Sequence, residues 1–252
     1  MLRVAEHVER TDTGRQRRAN EDAYFARSPL FAVADGMGGA QAGEVASQMA
    51  VAALEPGLPD GPGTAEQRLA ALVQEANSQI HALSQSDEGA AGMGTTLTAA
   101  YVDGERLALA HVGDSRAYRL RGSELELLSS DHSLVEELVR RGELTHEEAD
   151  RHPQRSIITR ALGPEDEVEV DHESWPAEAG DVYLLCSDGL TAMVAETRVA
   201  EIMRDARSLQ AAARALVDEA NAAGGKDNIT VVLVKVLAKK PSVQRMRVAP
   251  AV

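Results

Sequence analysis

Several apolar runs in this chain end or begin at an acidic residue, and that placement is where chemistry first shows. Leu-Phe-Ala-Val-Ala ends at Asp35, Leu-Ala-Leu-Ala-His-Val-Gly at Asp114, and Tyr-Leu-Leu-Cys-Ser at Asp188. Asp227 opens Asn-Ile-Thr-Val-Val-Leu-Val, and Asn20-Glu21-Asp22 opens Ala-Tyr-Phe-Ala. Carboxylates at the rims of adjacent strands can converge. Buried without partners, such charges cost several kcal/mol each. A hard divalent cation removes that cost, because Mg²⁺ and Mn²⁺ favour oxygen ligands in octahedral geometry. A plainer reading competes. Asp-Gly is a common turn dipeptide, and Asp103-Gly104 is expected to be only that, in a type I′ hairpin. Asp35-Gly36 and Asp188-Gly189 are not flanked by two alternating strands. Spacing alone leaves a metal centre and ordinary turns both open.

The elements that would carry these acids are readable from periodicity. Residues 3–10, 22–26 and 29–34 alternate as strands, and a helix is expected from about Gly43 to Leu54. Residues 56–63 are a loop by their Pro and Gly content, and residues 65–84 read as an amphipathic helix. Hairpins are expected around Asp103-Gly104 and Gly122-Ser123. Residues 132–163 are irregular, with short helices. Strands are expected at 167–173, 182–187 and 229–237, and helices at 195–203 and 207–222. Strands that come in runs point to antiparallel sheets with helices outside them. Residues after about Lys239 read as a basic tail or linker, leaving 1–238 as one domain.

Composition bounds the rest. The chain has 252 residues, 44% of them apolar but only 3% aromatic, so the core must be built mostly from Ala, Val and Leu. No apolar run approaches the roughly 20 residues of a membrane span, and Met1–Arg10 lacks the apolar stretch of a signal peptide. A cytoplasmic setting is expected, either free or, with the basic tail as a juxtamembrane linker, as the cytoplasmic part of a longer membrane-anchored protein. Cys186, the single cysteine, sits in an apolar run and reads as a buried small hydrophobe. The net charge of −14 argues against nucleic acid as a partner. The histidines share no metal-ligand spacing, and none is expected to touch a metal.

The same residues resemble the metal-dependent type-2C serine/threonine protein phosphatases (the PPM family), in their compact bacterial form. Residues 11–23, TDTGRQRRANEDA, match an Asp-x-Gly-x-x-Arg-x-x-Asn-Glu-Asp motif, and 33–47, VADGMGGAQAGEVAS, match a second. GMGTTLTAA (92–100), HVGDSRAYRLR (111–121), SDHS (130–133), RSIITRALG (155–163), GDVYLLCSDGL (180–190) and GGKDNITVVLV (224–234) follow in the family's order. Each segment alone is modest; their order is specific.

The resemblance implies an α+β fold, a four-layer α-β-β-α sandwich of two antiparallel sheets flanked by helices. It implies hydrolysis of phosphoserine and phosphothreonine in proteins by a water bridging two Mn²⁺ or Mg²⁺ ions, with a third ion in bacterial members. Asp35 matches the carboxylate that bridges two ions, and Asp188 and Asp227 match the other ligands of the first. Glu21 and the Gly36 carbonyl match ligands of the second, and Asp114 joins Asp188 at the third. Asp22 matches an acid that orients water. Arg17 matches the arginine that grips the substrate phosphate. Met37 stands where some members have a histidine that acts as general acid, and Met has no proton to give. Residues 132–163 match a flap beside the active site, whose Arg151, Arg155 and Arg160 either steer phosphopeptides or pair with Glu143, Glu147 or Glu148. Phosphorylated proteins, including a serine/threonine kinase, are the implied partners of a monomer. An inactive regulatory module would be expected to lack the metal aspartates, and a calcineurin-like phosphoesterase would need His-rich motifs that are absent.

Overall fold

The computed structural model describes residues 1–38 and 42–239, so the expected tail beyond Lys239 lies outside the described residues. The described strands are β1 (Leu2–Asp12), β2 (Asp22–Arg27), β3 (Leu30–Met37), β4 (Gly94–Thr95), β5 (Leu97–Asp103), β6 (Arg106–Val112), β7 (Arg116–Arg121), β8 (Glu124–Leu127), β9 (Asp171–Pro176), β10 (Val182–Cys186) and β11 (Ile229–Ala238). The helices are α1 (Ala42–Ala52), α2 (Ala65–Ser86), α3 (Leu134–Arg140), α4 (His146–Asp150), α5 (Asp188–Thr191), α6 (Glu196–Asp205) and α7 (Leu209–Ala222).

The strands form two antiparallel sheets. One runs β1-β11-β10-β7-β8, and the other β2-β3-β5-β6-β9 with β4 paired to β3. Strand alternation explains how they stack. In β3, Leu30, Ala32 and Ala34 face the core beneath α1 and α2, while Phe31 and Val33 face the opposite sheet. In β11, Ile229, Val231 and Leu233 face the core beneath α5–α7, while Val232, Val234 and Val236 face the sheet across from it. Both central strands are therefore buried on two faces, which is why they read as unbroken apolar runs. Three cores separate four layers, helix, sheet, sheet and helix, as the sequence led one to expect.

Three local expectations need correction. The last strand of the second sheet is Asp171–Pro176, not 167–173. Val168 and Val170 do point inward, but they pack under α2 from an irregular segment, so alternation alone misplaced the strand. The β5–β6 turn is centred on Gly104 and Glu105, since Asp103 pairs with Arg106. Only Gly104 has positive φ (+55°), which is the sign pattern of type II′ rather than type I′. The Gly122-Ser123 turn between β7 and β8 is built the same way. The short helix α5 was not anticipated, because one turn leaves no periodicity to read.

Candidate active site

The acids reach one rim of the sandwich by backbone register. Asp22 opens β2 directly opposite Asp35 in β3. The Gly36 N–H donates to the Glu21 carbonyl at 3.2 Å, tying the next step of the same pair. Asp188 follows β10 as the first residue of α5, and Asp227 lies two residues before β11. A glycine brings those two together. A Cβ on Gly189 would fall 1.9 Å from the Asn228 carbonyl oxygen, so only glycine lets the backbones beside Asp188 and Asp227 meet. Asp114 arrives on the β6–β7 link, where Gly113 takes φ +112° and packs against Thr96. The Thr96 hydroxyl is 2.8 Å from that of Ser115 and accepts the Asp35 N–H at 2.9 Å, joining the Asp114 link to the Asp35 strand.

Burial and mutual repulsion dominate the electrostatics. Burial lifts Asp22 to about 7, with hydrogen bonds from Thr230 and Ser187 opposing it and Asp188 adding repulsion. Burial followed by the Asp188 charge lifts Asp114 to about 8. Burial followed by the Asp227 charge lifts Asp188 to about 6. Asp35 is pushed well above the usual carboxylate range, first by burial and then by Asp22, Asp188, Asp114 and Asp227. Glu21 is raised mainly by burial.

One oxygen each of Asp22, Asp114 and Asp188 is buried without a hydrogen-bond partner. Buried polar atoms are normally satisfied, so three orphaned carboxylate oxygens at one rim call for a cation. Among the described residues no three His, Cys, Asp or Glu side chains stand in an arrangement that could hold a metal ion as they are placed. The donor set nevertheless fits hard divalent ions: it is all oxygen, anionic and held on strand ends.

Arg17 lies in the loop between β1 and β2, half exposed, with Nη2 2.6 Å from Asp227 Oδ2. Asn228 fastens that loop. Its amide donates to the carbonyls of Thr13 and Ala19, both at 2.9 Å, and its Oδ1 accepts the Glu21 N–H at 2.8 Å. Ser187, which sequence reasoning passed over, donates to Asp22 Oδ2 at 2.8 Å and accepts the Thr230 N–H at 3.0 Å. Its signal was its position beside Asp188, but a small residue after an apolar strand carries little information. Arg116 was missed too. It grips Asp131 through Nε and Nη2, at 2.7 Å for the shortest contact, beside a groove of about 690 Å³.

That groove runs from Asp114 and Asp188 between the 132–163 segment and α5–α6. The arginines of the segment separate into different roles. Arg151 pairs with Glu147 at 3.1 Å. Arg160 pairs with Glu169 and Asp171, not with the acids expected from sequence. Arg155 lines the groove, and no ion pair holds it among the described residues. Cys186 and His111 are fully buried, as expected of packed side chains. Met37 lies against Gly94.

The fold and this rim define a class: a four-layer β-sandwich protein whose acidic edge carries the donors that divalent cations favour. The protein phosphatase 2C family matches residues 13–228, and the chain belongs to that family. It is 46% identical over 240 residues to the serine/threonine phosphatase stp of Listeria monocytogenes, covering 91% of this chain and 95% of the relative. It is 45% identical over 235 residues to the serine/threonine protein phosphatase PstP of Mycobacterium tuberculosis, covering 93% of this chain and 45% of that longer protein. The crystal structure of Mycobacterium tuberculosis PstP/Ppp matches with a TM-score of 0.88 at 44% identity, covering 94% of this chain and 99% of that one. The catalytic domain of PstP in complex with two manganese ions matches with a TM-score of 0.86 at 41% identity, covering 94% and 100%.

Proposed function

We propose that this protein hydrolyses phosphoserine and phosphothreonine in proteins, using Mn²⁺ or Mg²⁺ held at the acidic rim. The observation that carries this reading is the set of buried, partnerless oxygens on Asp22, Asp114 and Asp188 around Asp35. Asp35 would bridge two ions. Asp188 and Asp227 would complete the first, Glu21 and the Gly36 carbonyl the second, and Asp114 with Asp188 a third. When bound, the ions supply an activated water and neutralise charge on the phosphoryl oxygens.

The protein's own groups do the rest. Asp22, fixed by the Ser187 hydroxyl, orients water at the rim. Arg17 turns its planar guanidinium to the phosphate, where paired hydrogen bonds hold the phosphoryl group in line. Its present partner is Asp227, so substrate phosphate and Asp227 compete for one cation. The phosphorus–oxygen bond to the Ser or Thr side chain breaks as the bond to the water oxygen forms. Met37 carries no proton, so the leaving alkoxide takes its proton from water. No side chain at the rim is needed as a nucleophile.

Residues 1–238 act as the catalytic unit, supported by the three continuous cores. The substrates are phosphorylated proteins, among them a serine/threonine kinase, and the domain works as a monomer in the cytoplasm. No helix among the described residues is long and apolar enough to cross a membrane. The test is phosphate release from a phosphothreonine peptide with Mn²⁺, with and without excess EDTA, beside Asp35→Ala. Turnover that needs Mn²⁺ and vanishes in the variant is expected. A folded, metal-loaded protein without turnover would instead point to a regulatory module.

A further inference from the structure

His132 has no part in the chemistry above, yet it is buried and every polar atom of it is engaged. Its backbone N–H donates to the Gly113 carbonyl at 2.7 Å, and its carbonyl accepts the Thr159 N–H at 2.8 Å. Its Nδ1 lies 3.0 Å from the Gly113 nitrogen. A backbone N–H can only donate, so Nδ1 must accept, and the proton of the neutral ring sits on Nε2. There Asp171 Oδ2 accepts it at 3.1 Å, and Arg160 Nη1, which cannot accept, lies 3.0 Å from the same nitrogen while donating to Asp171. Arg160 holds the other Asp171 oxygen at 2.8 Å. Burial lowers the His132 pKa and keeps the ring neutral.

Gly113 is the residue before Asp114, and its φ of +112° leaves the link little intrinsic preference for its observed path. The imidazole supplies what the glycine lacks. On its other side, Ser133 bridges to Ile158 and caps α3, so His132 is also the root of the 132–163 segment. One ring thus ties the Asp114 link to the base of the flap and to β9.

We infer that His132 is a positioning residue for Asp114: by accepting the Gly113 N–H it holds that carboxylate where it can share a divalent ion with Asp188. This rests on the proposed role of Asp114 as an ion ligand. It makes the ring's acceptor atom, rather than its bulk, the feature that matters. Asparagine at 132 can place Oδ1 near the Nδ1 position, whereas phenylalanine fills the space with no acceptor.

The test is direct Mn²⁺ binding, read from the loss of the free-ion EPR signal, on the native protein, Asp114→Asn, His132→Phe and His132→Asn. Asp114→Asn is expected to lose one ion. His132→Phe should bind that same ion about tenfold more weakly, the scale of one buried hydrogen bond. His132→Asn should recover most of the affinity. If His132→Phe binds all ions as the native protein does while Asp114→Asn loses one, the positioning role is wrong and the Asp114 assignment stands. If Asp114→Asn loses none, that assignment falls and the positioning role with it. Should His132→Phe not fold, His132→Gln, which reaches the Nε2 position but not Nδ1, takes its place, and equal binding by His132→Gln and His132→Asn would overturn the inference.

Discussion

Asp22 and Asp35 are direct partners across the β2–β3 pair, two carboxylates opposed beside a run of apolar pairs from Ala23–Ala34 to Ala26–Phe31. Like charges directly opposite each other destabilise a strand pair. A cation bound at the rim, as proposed above, would offset this repulsion, and the metal-free protein should carry the strain. Asp35→Asn is therefore expected to act in opposite directions on stability and activity. Without metal it should raise stability by about 1–4 kcal/mol, the range for replacing buried charge. At about 2–4 °C per kcal/mol for a domain of this size, calorimetry in EDTA resolves that gain. Turnover with Mn²⁺ should fall by about 10²–10³, the scale for removing a group that supports transition-state charge. An Asp35→Asn protein that is less stable in EDTA would show that the carboxylate is not under repulsion.

The same repulsion sets a pH dependence whose sign is unusual for carboxylates. Burial raises Asp188 to about 6, Asp22 to about 7 and Asp114 to about 8 from the ordinary 3.8. The folded state then holds more protons than the unfolded one. The stability from these groups is fully present below about pH 4 and is lost as pH rises through about 6 to 8. Asp171 and Asp181 are lowered instead, with hydrogen bonds from His132 and Arg121 outweighing burial. Their contribution is present above the unfolded value and falls away only in acid, so it is constant over the upper window. The melting temperature in EDTA should therefore decline from about pH 5 to about pH 8. Saturating Mn²⁺ should reverse that slope, since ions bind the deprotonated acids. A flat curve in EDTA would mean the rim is already neutralised within the protein.

Gly189→Ala tests how closely the segments that carry Asp188 and Asp227 must approach. The added methyl would meet the Asn228 carbonyl oxygen at 1.9 Å, and backbone must move to admit it. Overpacking of this kind costs about 1–3 kcal/mol. Because the displaced residues adjoin Asp188 and Asp227, the Mn²⁺ concentration needed for half-maximal turnover should rise as well. A variant that loses stability but keeps native Mn²⁺ dependence would separate the packing from the site.

What could be read in the sequence followed from periodicity and from motif order. The two-faced burial of β3 and β11 left apolar runs ending at acids, so both the sandwich and its acidic rim were legible. The misplaced β9 shows the limit. Val168 and Val170 alternate as in a strand, yet they serve the helix-side core from irregular backbone. Arg151 takes Glu147, one of the acids the sequence offered, but the partners of Arg160, Glu169 and Asp171, follow in a different segment and were hidden. His132 was invisible for a related reason. Its value lies in a bond to the backbone of Gly113, and backbone partners leave no mark on residue type.

Arg17→Lys tests the proposed phosphate contact by separating its charge from its geometry. The side chain is 51% exposed and reaches Asp227 through Nη2 alone, so substrate can take it without breaking a buried network. Lysine keeps the charge but offers no planar fork. The loss should correspond to about one charged hydrogen bond, about 1.5–3 kcal/mol, or about 10–100-fold in kcat/KM. Arg17→Ala should lose more. Steady-state kinetics on a phosphothreonine peptide decide it, and a lysine variant equal to the native protein would reduce Arg17 to a point charge.

Arg155 is the remaining candidate for steering. Arg151 and Arg160 are tied to acids, while Arg155 lines the groove that leads to Asp114 and Asp188. In a protein of net charge −14, a cation at that mouth with no ion-pair partner among the described residues offsets a field that repels phosphopeptides. Arg155→Glu should raise KM for a phosphopeptide and leave turnover of a small aryl phosphate unchanged, because the small substrate reaches the rim without lying along the groove. The effect should shrink as salt rises, since screening acts within about 10 Å at 0.1 M. Equal losses on both substrates would place Arg155 in the support of the rim instead, and no loss on either would make it an ordinary solvated side chain.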